Sequence, residues 1–140
     1  MAEGYAGDVS VREAWDMLEK DAGAVLVDVR TDPEWRYVGL PDLSELEKRT
    51  VCVNWQTYPD LALNPAFAEE IEVNGIGPDQ TLLIICRSGV RSRHAAVALT
   101  ARGYARCYNV AGGFEGPHDE DHHRGARDGW KAAGLPWRQD

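Results

Sequence analysis

The sequence predicts an α/β fold built on a mainly parallel sheet. Three observations predict it: short apolar, β-branched runs at 24–29, 51–55, 81–85 and 107–110; segments of helical periodicity between them; and turn residues at the junctions. Strands this uniformly apolar belong in a sheet covered on both faces. The 140 residues suit a single domain over 1–140, and a hydrophobic content of 44% is enough for one core.

Each element follows from local chemistry. Ser10-Val-Arg-Glu13 is a capping box, and Val11, Ala14, Trp15 and Leu18 follow at helical spacing, so 11–20 reads as an amphipathic helix. Ala24–Val29 reads as a buried strand with Asp28 near its end and Arg30 just beyond. Residues 31–42 hold Pro33, Gly39 and Pro41 and read as mostly loop, followed by a short helical turn near 45–49. Val51–Trp55 is a second strand. Asn64-Pro65 opens a helix over about 65–73, which Asn74-Gly75 closes. Gly77–Gln80 is a turn, and Thr81–Ile85 is the strongest strand in the chain. A helix over 91–102 turns Ala95, Ala96 and Leu99 inward and stops at Gly103. Cys107–Val110 is the last strand, Gly112–Pro117 a loop, and a short helix is expected near Trp130–Ala133.

Charge and cysteine usage narrow the function. A net charge of −8 disfavours nucleic acid and anionic membranes as partners. No run of 18 apolar residues suggests a membrane span, and the first residues lack a secretory pattern. The three cysteines, 52, 86 and 107, form no CxxC pair, which fits free thiols in a reducing, cytoplasmic setting. The charge is uneven: from Cys86 to Arg106 there are five arginines and no acid. This stretch reads either as a solvated basic helix face or as a site for anions.

Cys86 ends the strongest strand, and Arg87-Ser-Gly-Val-Arg-Ser92 follows it. In an open parallel sheet, ligands bind beyond the carboxyl ends of strands, facing helix N-termini. Gly89 supplies φ freedom for a tight loop. The amides of 87–92 can turn inward as donors, the next helix adds its positive end, and Arg87 and Arg91 add charge. All three effects favour thiolate over thiol and stabilise an anion. A strand-terminal cysteine can equally be plain core, but a serine, a glycine, two arginines and a helix start so close by favour a nucleophile.

These residues resemble those of a single-domain rhodanese, a sulfurtransferase-like family. The resemblance rests on Leu26-Val-Asp-Val-Arg30 with Glu34-Trp35, on Ile85-Cys-Arg-Ser-Gly-Val-Arg-Ser92, on Tyr108-Asn-Val-Ala-Gly-Gly-Phe114, and on Gly129-Trp-Lys-Ala-Ala-Gly-Leu-Pro136. It implies a three-layer fold with five mainly parallel strands flanked by helices. It also implies a persulfide cycle in which Cys86 takes a sulfane sulfur from a small donor such as thiosulfate and passes it to a thiol, protein or other thiophilic acceptor. Cys86 would be the catalytic nucleophile. The amides of Arg87, Ser88, Gly89, Val90, Arg91 and Ser92 would cradle the persulfide, with Arg91 and Arg87 assisting an anionic donor. No metal or organic cofactor is implied. Where the family often shows Gly-His and then Gly-Ala after the Glu-Trp pair, this chain has Val38-Gly-Leu-Pro-Asp42.

Two rivals remain at this level. Phosphatases with this kind of loop use Cys-x5-Arg, whereas Cys86 plus six is Ser92 and the arginine falls one place earlier, at 91. A loop one residue shorter suits a single sulfur atom better than a tetrahedral phosphate. The other rival is a protein-binding module that keeps the fold without the chemistry.

Other candidates read more plainly. Asp28 and Arg30 are expected to form a structural ion pair or a hydrogen-bond anchor near the loop. Cys52 and Cys107 are expected in the core, with Cys107 also a candidate for a second redox thiol. His118, His122 and His123 among Asp119, Glu120 and Asp121 suggest a solvated loop rather than a metal site. His94 is expected on a helix surface. Trp35, Trp55, Tyr58 and Phe114 are candidates to wall the site entrance.

Overall fold

The computed structural model describes residues 4–57, 60, 62–115 and 129–139. Its centre is a five-stranded, wholly parallel sheet ordered β1-β8-β7-β2-β4, with β1 Gly7–Val9, β2 Val25–Asp28, β4 Val51–Cys52, β7 Thr81–Ile85 and β8 Arg106–Val110. The helices are α1 Val11–Lys20, α2 Asp32–Tyr37, α3 Phe67–Val73 and α4 Val90–Ala101. A 3-10 turn over Ser44–Leu46 and two two-stranded antiparallel ribbons complete the elements of the described residues: β3 Leu40–Pro41 with β9 Trp137–Arg138, and β5 Gln56–Thr57 with β6 Ala62–Leu63.

Strand parity divides the core into two clusters, one on each face of the sheet, giving three layers. Val27, Leu82, Ile84 and Cys107 face α3 and α4, where Phe67, Ile71, Ala95, Ala96 and Leu99 meet them. Leu26, Leu83, Ile85 and Val110 face α1 through Ala14 and Leu18, together with Trp130. Leu82 to Ile85 are all fully buried, which explains an uninterrupted apolar run at the centre of the sheet. Each such side chain contributes roughly 1.5–3 kcal/mol by leaving water. α1 begins on the expected capping box: Ser10 Oγ accepts from Glu13 N at 3.0 Å, and Ser10 N donates to Glu13 Oε1 at 2.8 Å.

Several details differ from the sequence reading. Residues 32–37 form α2 rather than loop, because Pro33 sits in the first helical turn, where its missing N–H costs nothing. α3 starts at Phe67: Asn64 Oδ1 accepts from Ala66 N at 3.0 Å, so Asn64-Pro65 caps a turn that precedes the helix. Trp130–Gly134 form a hydrogen-bonded turn instead of a helix. The edge strand β1 and both ribbons were not anticipated. β4 is shorter than expected, although Val53 N and Trp55 N still donate to Asp28 O and Val29 O, each at 3.1 Å.

Cys52 also departs from expectation. It is exposed, whereas Val51 and Val53 point into the core. β4 is the sheet edge, which leaves Cys52 with a neighbouring strand on one side only. Cys107 is core as expected, and burial pushes its thiol up to about 11.

Candidate active site

The central strand β7 delivers Cys86 to the carboxyl edge of the sheet, between β2 and β8. Backbone bonds clamp the start of the loop: Phe114 N donates to Cys86 O at 2.8 Å and Glu115 N to Arg87 O at 3.0 Å. Gly89 has φ +101° and is the N-cap of α4. A Cβ there would run into the carbonyl of Ala111. Gly113 has φ +68°, and its missing Cβ lets the backbone of Arg87 pass close by.

The Cys86 side chain is 1% exposed. Its Sγ accepts from Gly89 N at 3.2 Å and from Ser92 N at 3.4 Å, and the Ser92 hydroxyl oxygen lies 3.3 Å away. Ser92 N is one of the amides in the first turn of α4 that have no partner within the helix, so the helix terminus points its positive end at sulfur. Among the described residues Sγ is therefore met by two amides and one hydroxyl, with no base among its hydrogen-bond partners.

The six loop residues named from sequence separate into distinct placements. Gly89 and Ser92 touch Sγ. Arg87 and Val90 are exposed and Ser88 is half-buried. Arg91 turns to α2, where its Nη1 donates to Glu34 Oε1 at 2.7 Å and its Nη2 to Glu34 Oε2 at 2.9 Å. This two-point pair is largely covered, with side-chain exposures of 20% and 18%. Arg91 is thus a tie between loop and α2 as well as a positive charge near Cys86.

Burial alone would raise the Glu34 pKa, but hydrogen bonding and charge from Arg91, with bonds from Thr31 N and Oγ1, outweigh it and hold the group at about 2 against an ordinary 4.5. A carboxyl lowered on folding contributes stability that is complete above its unfolded value and fades as pH falls toward the folded one. Glu34→Gln is therefore expected to be less stable than wild type by about 2–3 kcal/mol at pH 7. The gap should narrow between pH 4.5 and 2. Urea unfolding at several pH values checks this, and parallel curves for the two proteins would contradict it.

Asp28 and Arg30 form the expected ion pair, fully buried, with Arg30 Nη2 2.7 Å from Asp28 Oδ2. Arg30 Nη2 also donates to Gly39 O at 2.7 Å, and its guanidinium carbon lies 4.4 Å from the Phe114 ring centroid. Phe114 is fully buried, and Trp55 packs edge-to-face on Phe67 at 5.2 Å, so both are core rather than walls of an entrance. Trp35 is half-buried. His94 is exposed on α4, as expected. Tyr58 and the 118–123 histidine and acid cluster lie outside the described residues. Among the described residues no three potential metal ligands gather, and no helix is long and apolar enough to cross a membrane.

Sequence reading missed two neighbours of the loop. Asn109, on β8, is 3% exposed; its Oδ1 lies 2.5 Å from Ser92 Oγ, and its Nδ2 donates to Gly89 O at 3.2 Å. Asp8, on β1, accepts from Asn109 Nδ2 at 3.0 Å and from the Tyr5 hydroxyl at 2.8 Å. A polar side chain inside an apolar strand needs partners, which was the available signal.

A parallel sheet whose central strand ends in a cysteine, ringed by amides of a short loop and a helix terminus, defines a rhodanese-like domain, and the chain belongs to the rhodanese-like family. More particularly, the family model that matches it is that of the STR4 middle domain, over residues 6–140. A crystal structure of Rv0390 from M. tuberculosis is 48% identical, with a TM-score of 0.87, covering 97% of this chain and 99% of that one. An uncharacterized protein of Rickettsia conorii is 37% identical over 90% of this chain and 92% of its own length. The thiosulfate sulfurtransferase GlpE of Actinobacillus pleuropneumoniae is 28% identical over 92% of this chain and 90% of its own.

Proposed function

We propose that the protein is a sulfurtransferase working through a persulfide on Cys86. The observation that carries this reading is the convergence of Gly89 N, Ser92 N and the Ser92 hydroxyl on one buried sulfur, with no base in contact among the described residues. The similarity to a thiosulfate sulfurtransferase supports it. Amide dipoles and a helix N-terminus stabilise negative charge placed beside them, as on a persulfide. The Cys86 thiolate attacks the sulfane sulfur of a donor such as thiosulfate. A new S–S bond forms, the donor's S–S bond breaks, and sulfite leaves with the electron pair. The negative charge then rests on the outer sulfur of Cys–S–S⁻, within reach of the loop amides of residues 87–92. A thiophilic acceptor, a small thiol or a protein cysteine, attacks that outer sulfur and returns Cys86 as thiolate.

Arg91 contributes charge and, through Glu34, loop rigidity. Arg87, exposed at the loop, meets the anionic donor. No metal or organic cofactor takes part, nucleic acid and membranes are not partners, and the free thiols suit the cytoplasm. Incubation with thiosulfate should add one sulfur, about 32 Da, to the intact mass. Cyanide should then release it as thiocyanate, and Cys86→Ser should show neither event. A wild-type protein that gains no sulfur and yields no thiocyanate would refute the thiosulfate form of the reading.

A further inference from the structure

The Ser92 hydroxyl has one proton and two neighbours that can take it. Sγ of Cys86 lies 3.3 Å away and Oδ1 of Asn109 only 2.5 Å. The Asn109 amide cannot turn over without loss. Its Nδ2 faces Gly89 O at 3.2 Å and Asp8 Oδ1 at 3.0 Å, both pure acceptors, so a flip would set oxygen against oxygen twice. Oδ1 is therefore held toward Ser92, where it can only accept. Sheet register fixes this arrangement. Asp8 pairs with Asn109, Asn109 pairs with Ile84, and Cys86 lies two residues beyond Ile84 on the same face.

We propose that Asn109 is a positioning residue for the nucleophile: it takes the Ser92 proton and turns the Ser92 lone pairs toward Cys86. In this orientation Ser92 accepts from the thiol. For Ser92 to donate to the thiolate, its short bond to Asn109 must break. The thiolate then rests on the Gly89 and Ser92 amides, and its nucleophilicity is not quenched by a third strong donor. Asn109 thereby governs how tightly the loop holds a negative charge on Sγ, as distinct from one carried on an added outer sulfur. The catalytic meaning of this contact rests on the persulfide reading; the hydroxyl orientation itself is a property of the free cysteine. Among the described residues the charged and titratable groups around Cys86 are Arg91 with its Glu34 partner, the Asp28–Arg30 pair at the end of β2, the exposed Arg87, and Asp8 with Tyr5 at the far end of the network. None of them bonds to the Ser92 hydroxyl.

A double-mutant cycle on the alkylation of Cys86 tests the proposal. The probe is iodoacetamide, followed at the Cys86 peptide by mass spectrometry at a pH well below the plateau of the wild-type rate. Asn109→Leu frees the Ser92 proton for sulfur, so alkylation should rise roughly three- to tenfold, the scale of a charge-assisted hydrogen bond partly offset by lost neutral ones. In a Ser92→Ala background the same replacement should change the rate by less than about twofold, because no proton remains to redirect. Equal acceleration in both backgrounds would mean that Asn109 only braces the loop, and a slower rate would reverse the proposed orientation; either result overturns it. If Asn109→Leu does not fold, Asp8→Ala on the edge strand loosens the same amide. It should accelerate alkylation in the same direction by a smaller factor, and only when Ser92 is present; no acceleration overturns the proposal. The readout concerns the unloaded cysteine, so its failure is distinct from a failure to transfer sulfur.

Discussion

Arg30→Leu is expected to cost about 3–5 kcal/mol of folding stability and to lower the melting temperature by roughly 10–20 °C. Arg30 and Asp28 are each 0% exposed. Burial opposes the guanidinium charge, but the adjacent Asp28 outweighs it and raises the Arg30 pKa. Arg30 Nε and Nη2 reach both carboxylate oxygens, at 2.9 and 2.7 Å. Leucine would leave the Asp28 carboxylate buried without its countercharge and Gly39 O without its donor. The remaining nitrogen, Nη1, has no hydrogen-bond partner among the described residues, and the guanidinium lies over the Phe114 face. The damage should reach the site. Arg30 links the end of β2 to Gly39, just beyond α2, and α2 carries Glu34, the partner of Arg91. Alkylation of Cys86 should therefore change together with stability. Replacing both charges, Asp28→Leu with Arg30→Leu, should recover more than half of the loss, since an apolar pair leaves no uncompensated charge. Urea unfolding of the three variants measures the cycle, and a single Arg30→Leu variant within about 1 kcal/mol of wild type would contradict it.

What could be read in advance was whatever local sequence determines. The apolar run of β7, the cysteine at its end, Gly89 and the small-residue face of α4 lie within one stretch of chain, and the structure places them as read. Asp28 and Arg30 are two residues apart, and their pairing was anticipated. α2 was not, because Pro33 was weighed as a breaker rather than as a first-turn residue. β1, β3, β5, β6 and β9 are two or three residues long. Strands that short are held by backbone pairing to a neighbour and carry no side-chain pattern of their own. The same distinction runs through the site. The amides around Sγ are local to Cys86, but Glu34 is 57 residues from Arg91 and Asn109 is 17 from Ser92. Only helix placement and sheet register bring those partners together. Cys52 shows the converse: apolar neighbours in sequence suggested burial, but its place on an edge strand decided otherwise.

Gly89→Ala is expected to reduce sulfur loading of Cys86 by about a hundredfold or more, with a loss of stability of about 2–4 kcal/mol. At φ +101° an L-residue is strained wherever space allows it. Here space does not allow it, since the new Cβ meets the Ala111 carbonyl, a backbone atom that cannot swing aside. The loop must retreat, and three contacts move with it. Gly89 N leaves Sγ, Gly89 O leaves Asn109 Nδ2, and the start of α4 shifts Ser92 N away from sulfur. Cys86 itself stays in place, because its carbonyl is held by Phe114 N and its strand is the centre of the sheet. The variant thus separates the nucleophile from its cradle. If the cradle activates sulfur, Gly89→Ala should be a folded protein whose Cys86 alkylates more slowly and gains no sulfur from thiosulfate within the wild-type loading time. If Cys86 reacted at the wild-type rate with the loop displaced, the amides would be structural only, and activation would have to come from Arg91 and the charges near it.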